Sequence, residues 1–455
     1  MSSLYTRSKE MEIQNPRSYP EHKSGVSFFD DHEVELEEED DDLKQLAGHS
    51  KQNGFATSYN SIDPAYGSSM SRGELLSIET MNQRIKAMDY AVRGKIVQQA
   101  EQHVEALKRG EARPFTEVIF ANIGNPQAIG QPYLLYVRQV LALVTCPWIL
   151  KQPELRKGFP EDVISRAEEI LNNSHGVGAY STSKGLPIVR QYVCRFLKQR
   201  DGYAADPEHI FLTNGASDGV KLVLTLLIRS EQDGVLIPVP QYPLYSATLT
   251  LIGGEQVGYH LEEGNGWALN ISELESALNL SESKGIKVRA LVVINPGNPT
   301  GQLLSESNMR EVVSLCEREN MVLMADEVYQ VNVYSETKKF VSFKKIVSDM
   351  RSTVKLVSFH STSKGVMGEC GFRGGYMELV NFEESVIDQI YKYCSVSLCP
   401  NVSGQVLCSL MVHPPQPGDA SYESHRKEYN DIFQTLKRKA QKLSKALSEF
   451  EGITC

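Results

Sequence analysis

The strongest constraint on the fold is a regular alternation between about residues 206 and 380. Short apolar runs rich in Val, Ile and Leu alternate there with amphipathic segments at helical spacing. Strands that are apolar throughout are buried on both faces, and the helices between them cover a mainly parallel sheet. The segment therefore predicts an α/β fold, with functional side chains in loops at one edge of the sheet.

The alternation predicts seven strands, which are HIFLTNG, DGVLIPVPQYP, EQVGYHL, VRALVVINP, MVLMADEVY, VKLVSFHS and FRGGYMELV. A further short strand is predicted in TEVIFANIGNPQ, ahead of this region. Helices are predicted between successive members of the first five of these seven strands, in the second half of 81–110, at 132–144 and 161–172, and over most of 383–450. In ISELESALNL, Ser272 and Glu275 form a predicted capping pair.

Charge and composition exclude several classes of protein. The net charge is −10, but the tract DDHEVELEEEDDD at 30–42 holds ten carboxylates and no basic residue. Removing these ten from the 57 acidic residues leaves 47, which equals the number of Lys and Arg. A near-neutral folded part does not favour nucleic-acid binding. No apolar run reaches the ~18 residues of a membrane-spanning helix, so no membrane segment is predicted.

The eight cysteines are scattered, with no CxxC pair and no accompanying histidine cluster. This pattern is typical of reduced thiols in an intracellular protein, and it predicts no metal site. The N-terminus has no apolar secretory core. The predicted location is therefore cytoplasmic, with mitochondria as the alternative because the first residues contain Arg, Lys and Ser.

Two small-residue turns follow predicted strands. TNGASDGV, at 213–220, opens a helix whose free N–H groups suit a phosphate. INPGNPTG, at 294–301, contains two prolines and fixes Asn298 as a potential donor. Taken alone, each is better explained as an ordinary turn.

Two charged side chains also stand at strand ends. Asp326 follows the apolar run MVLMA, and a buried carboxylate there is costly unless it meets a cation or a protonated nitrogen. Lys364 lies among Ser, Thr and Gly, and a desolvated lysine can lose its proton and attack a carbonyl. Ser361 and Arg373 flank it with groups that bind anions. A helix cap, a salt bridge or a surface lysine would explain each residue separately.

The four signals together match the needs of pyridoxal 5'-phosphate. This cofactor requires a lysine, a phosphate site, a carboxylate for its ring nitrogen and donors for its phenolic oxygen. Asn298 and Tyr329 are the predicted donors.

Seven segments, in this order, resemble fold-type I PLP-dependent aminotransferases, and among these the alanine aminotransferase branch most of all. They are ANIGNPQAIGQ, GAYSTSKG, GASDG, PQYPLYSA, INPGNPTGQ, ADEVYQ and FHSTSKGVMGECGFRGGYMELVN. The resemblance covers about residues 81–455. It implies a large PLP-binding domain with a mainly parallel sheet, and a smaller α+β domain built from both chain ends.

The resemblance also implies a role for each site residue. Lys364 would hold the cofactor covalently and move a proton at the substrate Cα, and Asp326 would pair with the ring nitrogen. Gly124 would approach the substrate carboxylate, and Tyr180 would reach the cofactor phosphate of a second subunit in a homodimer. The remaining cofactor-binding residues implied are Ala216, Ser217, Asp218, Tyr242, Asn298, Tyr329, Ser361 and Arg373.

The implied organisation is a disordered acidic tail at 1–75, an N-terminal arm with part of the small domain at 76–150, the PLP-binding domain at 151–390 and an incomplete small domain at 391–455. The sequence departs from the family at Val366 and Phe372, where aromatic residues are usual. The family's substrate-carboxylate arginine would follow Cys455, so no residue is assigned to it and a truncated chain is expected.

The implied reaction is transamination between L-alanine and 2-oxoglutarate, giving pyruvate and L-glutamate. Three alternatives stay open at this point. They are a related glutamate–glyoxylate transaminase, a catalytically impaired partner subunit, and a PLP-dependent lyase or synthase of the same fold. The expected ligands are amino acids and 2-oxo acids, with no nucleic acid, membrane or metal.

Overall fold

A seven-stranded sheet organises residues 75–453, the part of the chain that this computed structural model describes. Its strand order is β1-β7-β6-β5-β4-β2-β3. Strand β7 is antiparallel to both neighbours, and every other pair is parallel, so the predicted mainly parallel sheet is confirmed. The strands are β1 (Ile210–Thr213), β2 (Asp233–Val239), β3 (Glu255–His260), β4 (Lys287–Ile294), β5 (Val322–Asp326), β6 (Leu356–Ser361) and β7 (Gly375–Val380).

The register brings the ends of several strands to one edge. Gly375 begins β7 and lies opposite Thr213 at the end of β1 and Ser361 at the end of β6. Ile294 at the end of β4 lies opposite Asp326 at the end of β5. The loops that leave these strands therefore meet at the carboxyl edge.

Helices surround the sheet and extend from it. They are α1 (Gln83–Ala87), α2 (Lys95–Lys108), α3 (Leu135–Thr145), α4 (Pro153–Arg156), α5 (Glu161–Asn172), α6 (Pro187–Asp201), α7 (Ala216–Leu227), α8 (Leu244–Ile252), α9 (Ile271–Ser283), α10 (Glu306–Arg318), α11 (Phe343–Met350), α12 (Glu384–Ser395), α13 (Val402–Val412) and α14 (Tyr422–Leu447).

The two faces of the sheet bury separate cores. Successive residues of a strand point to opposite faces. In β4, Leu291 and Val293 pack in the cluster that includes residues of α9, α10 and α11. Val292 and Ile294 pack in the cluster that includes residues of α7, α8 and α12. The sheet is thus covered on both sides, as its apolar strands predict.

A third core joins residues from distant parts of the chain. Buried residues of α3 and α5 pack there with residues of α13 and α14, and Val366 contributes to the same cluster. The domain boundaries proposed at 75, 150 and 390 stay a prediction. The acidic tract at 30–42 lies outside the described residues.

Three local expectations differ from the structure. The predicted strand in TEVIFANIGNPQ is wrong, because that segment is irregular and leaves Ile119 83% exposed. The predicted capping pair of α9 is also wrong, since Asn270 caps the helix by accepting from the Ser272 N–H. Helices α6 and α11 were not predicted. Within residues 75–453, no helix combines the length and apolarity needed to cross a bilayer.

Candidate active site

A cavity of about 700 Å³ opens at the carboxyl edge of the sheet. It gathers side chains from segments far apart in the sequence. Ten of the predicted site residues line it, and these are Gly124, Ala216, Ser217, Tyr242, Asn298, Asp326, Tyr329, Ser361, Lys364 and Arg373. The loops that carry these residues therefore meet at one edge of the sheet, and the functions of the residues stay predictions.

Lys364 follows the end of β6 by three residues and is partly buried. Its Nζ donates to the carbonyl oxygen of Gly124 at 2.6 Å. Burial lowers the pKa of Lys364; the neighbouring Cys370 opposes this shift, and the positive charge of Arg373 adds to it. A lowered pKa increases the fraction of neutral amine, which is the nucleophilic form.

Asp326 ends β5 and is buried at the floor of the cavity. The Tyr245 hydroxyl donates to its Oδ2 at 2.8 Å, and the Val328 N–H donates to its Oδ1 at 3.3 Å. Burial raises the pKa of Asp326, and these hydrogen bonds oppose that effect. No cationic side chain within residues 75–453 forms an ion pair with it. Asp326 can therefore form an ion pair with a positively charged group that enters the cavity.

Arg373 and the start of α7 supply positive charge and free N–H groups to the same cavity. Arg373 donates to the carbonyl oxygens of Asn214 at 2.9 Å and Cys370 at 3.0 Å, and lies 3.4 Å from Ser363 Oγ. Gly215 has a φ of +81°, and a Cβ there would overlap the guanidinium group. Helix α7 starts at the next residue, so its free N–H groups and its dipole add to the positive potential.

Aromatic side chains also line the cavity. Tyr242 shares a hydrogen bond of 2.8 Å with the Tyr90 hydroxyl, and the two rings meet edge to face. Asn298 Nδ2 donates to the Tyr329 hydroxyl at 3.3 Å. Burial raises the pKa of Tyr329 to about 12, so this phenol stays protonated at neutral pH. It can therefore donate its own hydrogen bond to an oxygen atom in the cavity.

Two predicted residues lie outside the cavity. Asp218 is exposed, and its Oδ2 accepts from the backbone and the side chain of Asn214 at 3.2 Å, so it braces the turn before α7. Tyr180 is 75% exposed on the surface. Its role toward a second subunit stays a prediction.

The structure adds residues that the sequence analysis missed. Tyr245 lies three positions after Tyr242 in PQYPLY, in the first turn of α8. Ser363 lies two positions after Ser361, and Tyr90 is remote in the sequence. The first two stand inside quoted motifs, where a second tyrosine and a second serine were available signals.

A separate set of contacts fixes the loop that carries the lysine. Gln131 Nε2 donates to the carbonyl oxygens of Gly365 at 3.2 Å and Val366 at 3.1 Å. Arg138, on α3, forms an ion pair of 2.8 Å with Glu369, which is buried. The loop is therefore fastened to the 131–138 segment, close to Lys364.

Comparison with known proteins agrees with this architecture. The sequence profile described as "Aminotransferase class I and II" matches residues 150–455. The chain belongs to the class I and II aminotransferases. Among relatives of this aminotransferase, alanine aminotransferase 1, mitochondrial, of Arabidopsis thaliana is 50% identical over 386 residues, which cover 84% of this chain and 71% of the relative. Glutamate–glyoxylate aminotransferase 1 of the same plant is 47% identical over 385 residues, covering 84% and 78%.

A solved structure shows the same fold. The alanine aminotransferase of Pyrococcus furiosus matches with a TM-score of 0.64 at 22% identity, over 82% of this chain and 80% of that one. The predicted fold class, a fold-type I aminotransferase, is thereby confirmed.

Pyridoxal 5'-phosphate is the cofactor of this aminotransferase family, and the cavity fits it. A buried carboxylate without a cationic partner among the described residues suits a protonated ring nitrogen. The turn at Gly215 leaves a space beside Arg373 that a Cβ atom would fill, and this space suits a phosphate. The amine of Lys364 lines the same cavity as these two groups.

Proposed function

We propose that the chain is an alanine aminotransferase, which moves the amino group of L-alanine to 2-oxoglutarate and gives pyruvate and L-glutamate. The observation that carries the proposal is the shared cavity of Lys364 and Asp326 in a chain that is 50% identical to an alanine aminotransferase. The bound cofactor supplies an aldehyde that takes up the amino group and a ring that accepts electrons.

We assign the acid–base work to Lys364. Burial lowers its pKa, so its amine is a better nucleophile and proton acceptor than an exposed lysine. The Gly124 carbonyl, 2.6 Å from Nζ, orients the amine within the cavity. Lys364 would remove the proton from the substrate Cα and later return one, because it is the lysine that lines this cavity among the described residues.

We assign the remaining residues to binding. Asp326 would hold a proton on the ring nitrogen, and Tyr242 would pack against the ring. Asn298 and Tyr329 would donate to the phenolic oxygen. The phosphate would lie between Arg373 and the start of α7, with Ala216, Ser217 and Ser361 at its sides and Asp218 bracing the turn.

The test is a spectral titration of the purified, cofactor-loaded protein. L-alanine should shift the absorbance band of the bound cofactor, and 2-oxoglutarate should restore it. Lys364→Ala serves as the control, and its band should not respond on the same timescale. A parent band that ignores L-alanine well above the ~1 mM upper range of ordinary KM values would refute the proposal.

The second candidate is a glutamate–glyoxylate transaminase, because such a relative is 47% identical. Comparing kcat/KM for pyruvate and glyoxylate as acceptors of the amino group of L-glutamate separates the two. A preference of tenfold or more for glyoxylate would favour this candidate. A parent that binds cofactor but responds to no amino acid would favour the impaired partner subunit.

A homodimer is part of the proposal, because exposed Tyr180 has its implied role only across an interface. Sedimentation of the parent and of Tyr180→Phe should show the same dimer, with weaker cofactor binding in the variant. For the compartment, one relative is named mitochondrial, which matches the alternative to the predicted cytoplasmic location. Imaging the full-length chain with a C-terminal tag decides between them.

A further inference from the structure

Gln131 is a half-buried residue to which the proposed function gives no role. Its side-chain Nε2 donates to the carbonyl oxygens of Gly365 at 3.2 Å and Val366 at 3.1 Å, the two residues that follow Lys364. Both residues are buried, and within residues 75–453 no other donor reaches either oxygen. Since a buried carbonyl without a donor is costly, this one amide favours a single course of the backbone after Lys364.

The amide of Gln131 lies in the hollow of the turn that carries the lysine. Gly368 closes this turn, since its N–H donates to the Lys364 carbonyl oxygen at 3.2 Å. A Cβ atom at Gly368 would come within 2.5 Å of Gln131 Nε2, so the glycine leaves the space that the amide needs. The backbone of Gln131 is held as well, because its N–H donates to the Pro126 carbonyl oxygen at 3.0 Å. The contact therefore joins two segments that each have a defined course.

The same segment also contacts the tip of Lys364. The Nζ atom donates to the carbonyl oxygen of Gly124 at 2.6 Å, seven residues before Gln131. Segment 124–131 thus contacts the amine at one end of the side chain and, through Gln131, the adjoining backbone at the other. The amine gives up the Gly124 carbonyl when it forms a bond elsewhere in the cavity, whereas the contact of Gln131 persists.

We propose that Gln131 is a positioning residue for Lys364, which keeps the amine directed at the reacting carbon after the amine has left Gly124. Lysine has a long flexible stem, so an amine whose backbone shifts reaches the substrate in fewer of its conformations. A displacement of about 1 Å from a remote change can cost about 100-fold in rate. The inference rests on the proposed function, which assigns proton transfer at the substrate Cα to Lys364, and it holds for both transaminase candidates.

Rapid mixing of the cofactor-loaded protein with L-alanine separates positioning from folding. Gln131→Met keeps an unbranched side chain and removes the donor. The rate constant of the absorbance change should fall by about 10- to 100-fold. Deuterium at the Cα of L-alanine should slow the variant further, because proton removal is the step affected.

Three results of this experiment would overturn the inference. A smaller amplitude with an unchanged rate constant would mean that fewer molecules are folded and that Gln131 is only structural. A rate constant equal to that of the parent at full amplitude would mean that the contact is idle. A lower rate constant that ignores deuterium would mean that a step other than proton removal is slowed.

Labelling of the cofactor-free protein provides a readout without turnover. An amine-selective acylating reagent is applied over a range of pH, and mass spectrometry measures the modification of Lys364. Burial lowers the pKa of Lys364 in the parent. An amine released by Gln131→Met should titrate closer to the ordinary lysine pKa of about 10.4. An unchanged midpoint would show that the amine has not moved, which contradicts the proposal.

Two further variants supply a rescue and a matched control. Gln131→Glu can donate only while its carboxyl group is protonated, so its rate constant relative to the parent should be higher at pH 5 than at pH 8. Gln256→Met removes another amide that donates to a backbone carbonyl, that of Ser246 at 3.2 Å, and Gln256 does not line the cavity. It should match the parent in both measurements.

The outcomes of these variants are also decisive. A ratio for Gln131→Glu that does not change with pH, or an equal loss in Gln256→Met, would overturn the inference while leaving the proposed function intact. A parent that does not respond to L-alanine refutes the proposed function instead.

Discussion

Removing one hydroxyl group, in Tyr245→Phe, isolates the electrostatic support of Asp326. Both residues are buried, and the Tyr245 hydroxyl is 2.8 Å from Asp326 Oδ2. The substitution adds no atoms, so its cost is the lost hydrogen bond and the less well supported carboxylate. A hydrogen bond to a charged group contributes about 1.5–3 kcal/mol, and a neutral one about 0.5–1.5 kcal/mol.

The prediction is that the loss of stability caused by Tyr245→Phe depends on pH. Burial raises the folded pKa of Asp326 above the ordinary value of 3.8, so its contribution to stability is fully present below that value and is lost as the pH rises through the folded pKa. Without the Tyr245 hydroxyl the pKa rises further, and the loss of stability grows with pH. We expect Tyr245→Phe to destabilise the cofactor-free protein by about 1–2 kcal/mol more at pH 8 than at pH 5.

Tyr259→Phe is the matched control for this measurement. Tyr259 is equally buried, and its hydroxyl donates at 2.8 Å to the backbone carbonyl of Val292, which does not titrate. Its cost should be about 0.5–1.5 kcal/mol at both pH values. Urea unfolding of parent and variants at the two pH values provides the comparison. If Tyr245→Phe lowers the free energy of unfolding equally at pH 5 and pH 8, the Tyr245 hydroxyl does not stabilise the charged form of Asp326 and the prediction is refuted.

Three further substitutions have defined outcomes. Gly215→Ala places a Cβ atom against Arg373 at a residue with a left-handed φ. We therefore expect cofactor affinity, measured by equilibrium dialysis, to fall tenfold or more. An unchanged affinity would contradict the proposed phosphate site. Burial raises the pKa of Glu327 to about 7, so its contribution to stability is present below pH 4.5 and is lost as the pH rises through about 7. Glu327→Gln should therefore flatten the pH dependence of Tm in this range. A Tm profile parallel to that of the parent would contradict this expectation. Arg138→Gln leaves the buried carboxylate of Glu369 without its cation and should lower the free energy of unfolding by ~3 kcal/mol, whereas a surface pair would cost under ~1 kcal/mol.

The sequence predicted the sheet and the residues of its carboxyl edge because both depend on local patterns. Apolar runs such as that of β5 identify buried strands, and the polar residue that follows each run must lie at the strand end. Asp326 and Lys364 were found in this way, and the structure places both in one cavity. Their catalytic roles stay predictions.

The sequence analysis missed some site residues because they reach the cavity from a distant segment, and others because they stand next to a similar residue in the same motif. Arg93 and Tyr90 reach the cavity from a segment more than a hundred residues before Tyr242, and nothing in their local sequence indicates this. The false strand around Ile119 has the same apolar pattern as a true one. It lacks a neighbouring strand, and hydrogen-bond partners are not visible in a sequence.

The reversed direction of β7 has a consequence for how this site can change. Because β7 starts where β6 ends, a single connection, 362–374, delivers both Lys364 and Arg373 to the same rim. An insertion or deletion in it would shift the proposed reactive amine and the proposed phosphate-binding group together. Asp326, which we propose to pair with the ring nitrogen, lies on an independent strand. A substitution at Asp326 can therefore be made without moving Arg373. A change in the length of 362–374, by contrast, moves Arg373 and Lys364 together.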